Sequence, residues 1–198
     1  MDNHLNLKKL TGKDILPYVE ELGKLRITVF HEYPYLYIGD MDYEKKYLNR
    51  YIACNKSLAV LAFNDNSIVG VSTGIPMQYE IDEFKAPFIE KKYDISTIFY
   101  LGESVLLRPY RGQGIYRHFF NEREATARAC GCQIATFCSV DRPINHPQKP
   151  VDYHSLEPIW KRYGYQKHPE LSTLFEWKEI GETTASPKKL IFWIKNLL

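Results

Sequence analysis

Residues 97–130, TIFYLGESVLLRPYRGQGIYRHFFNEREATARAC, leave this chain few ways to fold. The stretch opens as an apolar run rich in β-branched and aromatic residues, the composition of a strand buried on both faces. Arg108-Pro109-Tyr110-Arg111-Gly112-Gln113-Gly114 follows as a turn, in which proline ends the strand and two glycines permit a tight bend. From Ile115 the apolar spacing becomes helical. Ile115, Phe119 and Phe120 face inward, Glu124 and Arg128 form an outward i,i+4 pair, and Gly131 stands where a helix stop is expected. Strand, glycine turn and helix in that order aim unpaired N–H groups at an anion, and phosphate suits the positive end of the helix. Arg111 adds a guanidinium fork matched to phosphate. A dinucleotide fingerprint would need glycine where Arg117 stands, and a Walker A loop would need Gly-Lys-Ser/Thr. The plain alternative is a tight structural turn with exposed arginines.

Composition narrows the setting of this turn. The 198 residues amount to a single domain, 1–198, with an ordinary share of apolar and charged residues for a soluble globular protein. A net charge of +2 argues against nucleic acid as a partner, so positive potential is expected only locally, from Arg108 to Arg117. No apolar run approaches the ~20 residues of a membrane span, which argues against a membrane role. The opening MDNHLNLKKL carries no apolar leader core. Cys54, Cys130, Cys132 and Cys138 lack zinc or disulfide spacing, which suggests a reduced, cytoplasmic setting. His31, His118, His146 and His154 show no metal-ligand pattern, so no metal is expected. The 15 tyrosines exceed what a core needs and suggest that some line a pocket.

Along the chain, residues 4–10 alternate as a first strand. A helix is expected over 15–30, with Leu22, Leu25 and Val29 inward and Pro17 in its first turn. Another is expected over 42–54, where Tyr43, Tyr47, Leu48 and Tyr51 recur at helical spacing. Residues 57–63 and 67–75 read as a hairpin across Asn64-Asp65-Asn66. Residues 77–93 read as a short helix with loops, 98–107 as the central strand, 133–140 as another strand, and 141–152 as a polar loop. A helix over 154–163 is closed by Gly164, and 171–177 and 190–195 are the last strands.

This order resembles the GNAT superfamily, the GCN5-related N-acetyltransferases, over nearly the whole chain. That family's phosphate loop reads Gln/Arg-x-x-Gly-x-Gly/Ala. Gly112 and Gly114 match it, Pro109 departs from its leading position, and Tyr110 to Ile115 fits the variant Tyr-Arg-Gly-x-Gly-Ile. The Gly164-Tyr165 pair resembles the family's Gly-aromatic end. Phe99-Tyr100-Leu101-Gly102-Glu103-Ser104-Val105-Leu106 and Phe175-Glu176-Trp177-Lys178 are similar to an uncharacterised bacterial group within it. The resemblance implies an α/β (α+β) fold, a mixed central β-sheet of about six to seven strands flanked by about four helices.

It also implies acetyl-CoA as acyl donor. The pantetheine arm would pair near Val105, Leu106 and Leu107, and the pyrophosphate would sit on the N–H groups of Arg111, Gly112, Gln113, Gly114, Ile115 and Tyr116. Glu103 is read as general base, being the one charged residue in 98–107 and poorly solvated there. The rival readings are a carboxylate paired with an arginine to hold the sheet, or one solvated beside a bulge. The family's usual acid is a Tyr four residues before the Gly-aromatic pair, where this chain has Trp160. An indole N–H is far too weak an acid, and Leu156, Ile159, Trp160 and Tyr163 form a core stripe. Tyr153, His154 and Tyr163 are the nearby substitutes, and a thiolate with a pKa of about 8.5 leaves without strong help. Cys138 reads as a nucleophile or as a buried thiol.

For the acceptor, Glu32, Tyr33, Tyr35 and Tyr37 can cage a cationic amine, or the tyrosines can pack between helices. Asp141 and Arg142 can grip a carboxylate. The expected function is acetyl transfer to a primary amine of a small molecule by direct attack in a ternary complex. The alternatives are a non-catalytic GNAT-fold acyl-CoA sensor or regulatory module, and a structural domain without a CoA site. A homodimer contact is open at Ile191-Phe192-Trp193, read as exposed.

Overall fold

The computed structural model describes residues 5–198; His4, read as the start of the first strand, lies outside the described residues. Strand β1 (Leu5–Leu10) runs into a 3-10 turn (Gly12–Tyr18) and helix α1 (Val19–Phe30). The helix expected from residue 15 starts four residues later, because Gly12–Tyr18, with Pro17 inside it, takes the tighter 3-10 form. Helix α2 (Met41–Ala53) is capped by Asp40, whose side chain accepts from Tyr43 N at 2.9 Å. Strands β2 (Leu58–Asn64) and β3 (Ser67–Pro76) form the expected hairpin, with Asp65 taking the left-handed turn position. Helix α3 (Asp82–Glu90), strands β4 (Ile98–Tyr100) and β5 (Ser104–Leu106), and helix α4 (Ile115–Ala129) follow. Strand β6 (Ile134–Val140), helix α5 (Glu157–Arg162) and strands β7 (Gln166–Trp177) and β8 (Ser186–Asn196) complete the chain. Helix α5 is shorter than expected because Pro158 sits in its first turn and Ser155 Oγ accepts from Glu157 N.

The strands make one mixed sheet of eight in the order β1-β2-β3-β4-β6-β8-β7, with β5 beside β3. Every pairing is antiparallel except β4 with β6. Alternate residues feed opposite layers. Ile98 and Tyr100 join the core under α1, α2 and α3, whereas Phe99 and Leu101 join Phe120, Phe137, Tyr165 and Trp193 on the α4 side. Because β8 lies between β6 and β7, Ile191, Phe192 and Trp193 are buried, which corrects their reading as an exposed tail and removes the basis for a dimer contact there. Among the described residues no helix is long and apolar enough to cross a membrane.

One interruption matters most. The strand expected over 98–107 breaks at Leu101-Gly102-Glu103. Strand β3 spans both halves, pairing Ile75 and Pro76 with Tyr100 and Phe99, and Ser72, Val71 and Gly70 with Ser104, Val105 and Leu106. The partner on the far side does not. Strand β6 pairs with β4 over 134–136 and beyond that only with β8, so β5 and the second half of β6 part as a wedge. Gly102 is required at the break, since a Cβ there would land on the hydroxyls of Tyr51, Thr73 and Tyr47.

Candidate active site

The glycine turn closes the wide end of this wedge. After a 3-10 turn (Arg108–Tyr110), Gly112 and Gly114 take φ of +77° and +83°, values that suit glycine and strain any other residue. A Cβ at either position would meet nothing within 4 Å, so the backbone conformation and not crowding selects glycine. Gln113 Nε2 donates to Pro109 O at 2.9 Å and ties the turn together. No side chain caps α4, which leaves the first-turn N–H groups of Ile115 and Tyr116 without a helical partner. A diphosphate fits such a donor set.

Arg111 does not stand free beside it. Its Nε donates to Leu106 O at 2.8 Å, and its two terminal nitrogens clamp Glu32 at 2.9 and 3.0 Å. Arg108 Nε reaches the same carboxylate at 3.1 Å. Partial burial pushes the Glu32 carboxyl up, but the two guanidinium groups outweigh it and hold the carboxyl below its usual range. Glu32 is therefore held at the glycine turn and does not line the aromatic pocket with Tyr35 and Tyr37, which corrects its placement in one cage with them.

Along β5 the open main-chain groups are not all those expected. Thr73 N donates to Glu103 O and Leu107 N to Val69 O, so the ladder's alternation turns Glu103, Val105 and Leu107 toward β3. Ser104 and Leu106 turn to the wedge. Of the three residues expected there, only Leu106 faces it, and Arg111 already takes its carbonyl.

At the narrow end Gly102 and Cys138 open into a cavity of about 310 Å³ between α1, α2 and the far strands. Tyr35, Tyr37, Tyr47, Tyr100, Phe175 and Trp177 supply its aromatic wall, and its charged lining mixes Arg26, Arg50 and Lys178 with Asp40 and Glu176. Burial pushes the Cys138 thiol up to about 12, with Tyr100 Oη 3.2 Å away, so the nucleophile reading fails: such a thiol is not a thiolate at neutral pH. Glu103 lies just behind this wall. Its side chain is buried, pairs with Arg26 Nη1 at 2.7 Å and accepts a hydrogen bond from Tyr47 Oη. Arg26 is shared with Glu44 and lies 3.8 Å from the Tyr47 ring centroid. The arginine-paired reading of Glu103 is thus present in the structure, and its contact with the pocket runs through Tyr47.

The other acceptor candidates scatter. Tyr35 and Tyr37 line the pocket, while Tyr33 packs on Tyr153 (ring centroids 4.7 Å apart) and His146. Arg142 is engaged by Glu179 and by the carbonyls of Pro34 and Tyr35, so it straps the 33–37 loop down. Asp141 is exposed, and its N–H serves Lys189 O. None of the substitute acids lines the pocket: Tyr153 is held by Tyr33, His154 is exposed, and Tyr163 packs on Phe120. Trp160 packs on Phe137 and Trp193, as a core residue would, and its Nε1 donates to Tyr116 Oη at 2.8 Å. Burial raises the Tyr116 phenol, and the indole bond partly offsets that.

Sequence reasoning missed Arg26, Tyr47, Tyr51 and Glu80. The i,i+4 tyrosines of α2 were visible only as helical spacing, and Glu80 sits in a stretch without pattern. The signal available was Gly102, a glycine within a buried run that implies a close approach.

No protein-family model and no curated protein matches the chain. Solved structures do. The acetyltransferase of the GNAT family from Staphylococcus aureus Mu50 superposes with a TM-score of 0.60 at 14% identity, covering 98% of this chain and 100% of that one. The yncA protein of Salmonella typhimurium, solved with its cofactor acetyl-CoA, gives 0.56 at 10% identity over 99% and 95%. Aminoglycoside 6'-N-acetyltransferase complexed with coenzyme A gives 0.59 at 14% over 98% and 97%. With this element order, the split strand and the glycine turn, the described residues have the GNAT fold.

Proposed function

We propose that the protein is an acyl-CoA-dependent N-acyltransferase that moves acetyl from acetyl-CoA to a primary amine of a small molecule by direct attack in a ternary complex. The observation that carries this reading is the wedge between β5 and β6, which joins an uncapped helix terminus at one end to an aromatic pocket at the other. The first-turn N–H groups at Ile115 and Tyr116, with the turn 111–114, hold the diphosphate. Ser104 and Leu106 offer main-chain groups to the pantetheine amides, and the Leu106 carbonyl becomes available as Arg111 swings toward the phosphates. Acetyl-CoA supplies the thioester carbonyl at the fork by Gly102. Tyr35, Tyr37 and Tyr47 surround the amine. As the amine nitrogen bonds the acetyl carbon and the carbon–sulfur bond breaks, Tyr47 takes the ammonium proton and passes its own to Glu103. The thiolate leaves with its electron pair and needs little acid help, since its pKa is about 8.5. Four free thiols suit a reduced cytoplasm.

Thiol release from acetyl-CoA across a panel of amines tests the reading. Release with at least one amine, reduced in Tyr47→Phe, is expected. Tight CoA binding without release from any amine selects instead the non-catalytic sensor, which the tryptophan at position 160 favours. Absence of any CoA binding overturns both.

A further inference from the structure

Tyr47 of the pocket wall and three buried side chains behind it form a hydrogen-bonded series that the mechanism above uses only at one end. Tyr47 Oη donates to Glu103 Oε2, the Tyr47 and Tyr51 hydroxyls stand 2.9 Å apart, and Tyr51 Oη lies 3.3 Å from Glu80 Oε1. Three oxygen–oxygen contacts need three protons, and two phenols bring two. With both carboxyls ionised, Tyr47 spends its proton on Glu103, and Tyr51 can serve either Tyr47 or Glu80 but not both. One contact would then set lone pairs against each other. A third proton, on a carboxyl, completes the series.

Glu80 is the end built to hold it. Its Oε2 accepts from Arg50 Nη1 at 2.7 Å and from Ile81 N at 3.1 Å, so Oε1 is the oxygen left facing Tyr51 and free to carry the third proton. Glu103 Oε2, in contrast, meets the Arg26 guanidinium. We propose that Glu80 is protonated at neutral pH and donates through Tyr51 and Tyr47 to an ionised Glu103, so that the series carries a shared proton and reaches the acceptor pocket at Tyr47. Burial, the largest influence on Glu80, raises its carboxyl against the pull of Arg50, Ile81 N–H and Tyr51, with Glu103 pushing the same way as burial. The other titratable groups within its reach are Tyr43 and Tyr47 on α2, Tyr100 on β4 and Cys138 on β6.

The role of this proton in turnover rests on the acyltransferase reading; its presence does not. In turnover the ammonium N–H bond breaks, a Tyr47 O–H bond forms, and the proton Tyr47 held bonds to Glu103. Glu80 keeps its own proton throughout and, as a positioning residue, holds the Tyr51 hydroxyl turned toward Tyr47.

Infrared difference spectra at neutral pH test the proposal. Wild type is expected to show the carbonyl band of a protonated carboxyl, lost in Glu80→Gln and shifted in Tyr51→Phe. No band in wild type, or a band that survives Glu80→Gln, overturns the assignment, and a band unmoved by Tyr51→Phe overturns the series. Should Glu80→Gln not fold, wild type and Tyr51→Phe decide alone. Melting curves give a second readout. A raised folded-state carboxyl contributes stability that is full below the ordinary value of 4.5 and is lost as pH rises through the raised value. Wild type should therefore lose Tm relative to Glu80→Gln as pH rises from the ordinary carboxyl value of 4.5 into the raised range, and parallel curves count against the proton. A band in a protein that transfers acetyl to no amine supports the shared proton and refutes the acyltransferase reading.

Discussion

The turn at residues 108–114 and the wall behind Tyr47 both carry charge toward a ligand, yet they are built in opposite ways. The turn is made of backbone. Its donors are N–H groups fixed by two positive-φ glycines, and its charge sits on arginines that are largely in water and share one carboxylate, Glu32. The wall is made of side chains. Arg26, Glu44, Glu80 and Glu103 are all buried, Arg26 pairs with Glu44 and Glu103, and Arg50 donates to Glu80. Exposed pairs contribute about 0–1 kcal/mol, whereas stripping one partner from a buried pair costs about 3–5 kcal/mol. The turn can therefore lose a charge and keep its shape, and the wall cannot.

The sharpest attack on this contrast is Glu103→Gln. Loss of the proton acceptor behind Tyr47 should lower kcat/KM by about 10²–10⁴-fold. Stability should fall by about 3 kcal/mol as Arg26 loses a buried charge partner. The affinity for CoA, measured by calorimetry, should stay put. An unchanged kcat/KM and pH profile would end the base assignment and make the wall purely structural. Smaller, and on the other side, is Gly114→Ala. A left-handed φ costs a non-glycine residue about 1–2 kcal/mol, and about 1.4 kcal/mol is tenfold in affinity, so CoA should bind about tenfold more weakly. An unaltered Kd would show that the phosphates sit elsewhere.

The same contrast explains what the sequence disclosed. The turn was legible because its parts are adjacent: Pro109, Gly112, Gly114 and the switch to helical spacing at Ile115 lie within a few residues, and local backbone rules read them directly. The hairpin and the α2 boundaries were legible for the same reason. The wall was not, because Arg26, Tyr47, Glu80 and Glu103 come from four separate segments and only the fold gathers them. Glu103 was found as the one charge in an apolar run, but its partners were not. Glu32 and Arg142 were misplaced for a related reason. Each lies in a loop, and what decides its partner is a distant cation or carboxylate: Arg111 for one, Glu179 for the other. The break at Gly102 escaped because 98–107 is apolar on both faces, and periodicity carries no information where both faces are buried.

The smallest expected effect tests whether the two ends are as independent as this account requires. Glu32 occupies the forks of Arg108 and Arg111, which face the same turn as the uncapped α4 terminus, so it competes with a diphosphate for those cations. Glu32→Gln should tighten CoA binding a few-fold, in line with a mostly exposed pair worth less than about 1 kcal/mol, and should steepen the salt dependence of binding. In wild type the lowered carboxyl keeps this contact intact above the ordinary carboxyl range. The contact's contribution to stability is lost as pH falls through the lowered value, and CoA affinity should gain on the same limb. Calorimetry at descending pH reads both. Weaker binding in Glu32→Gln would mean that Glu32 positions the arginines for the phosphates, and the donor turn would then depend on side-chain order just as the pocket wall does.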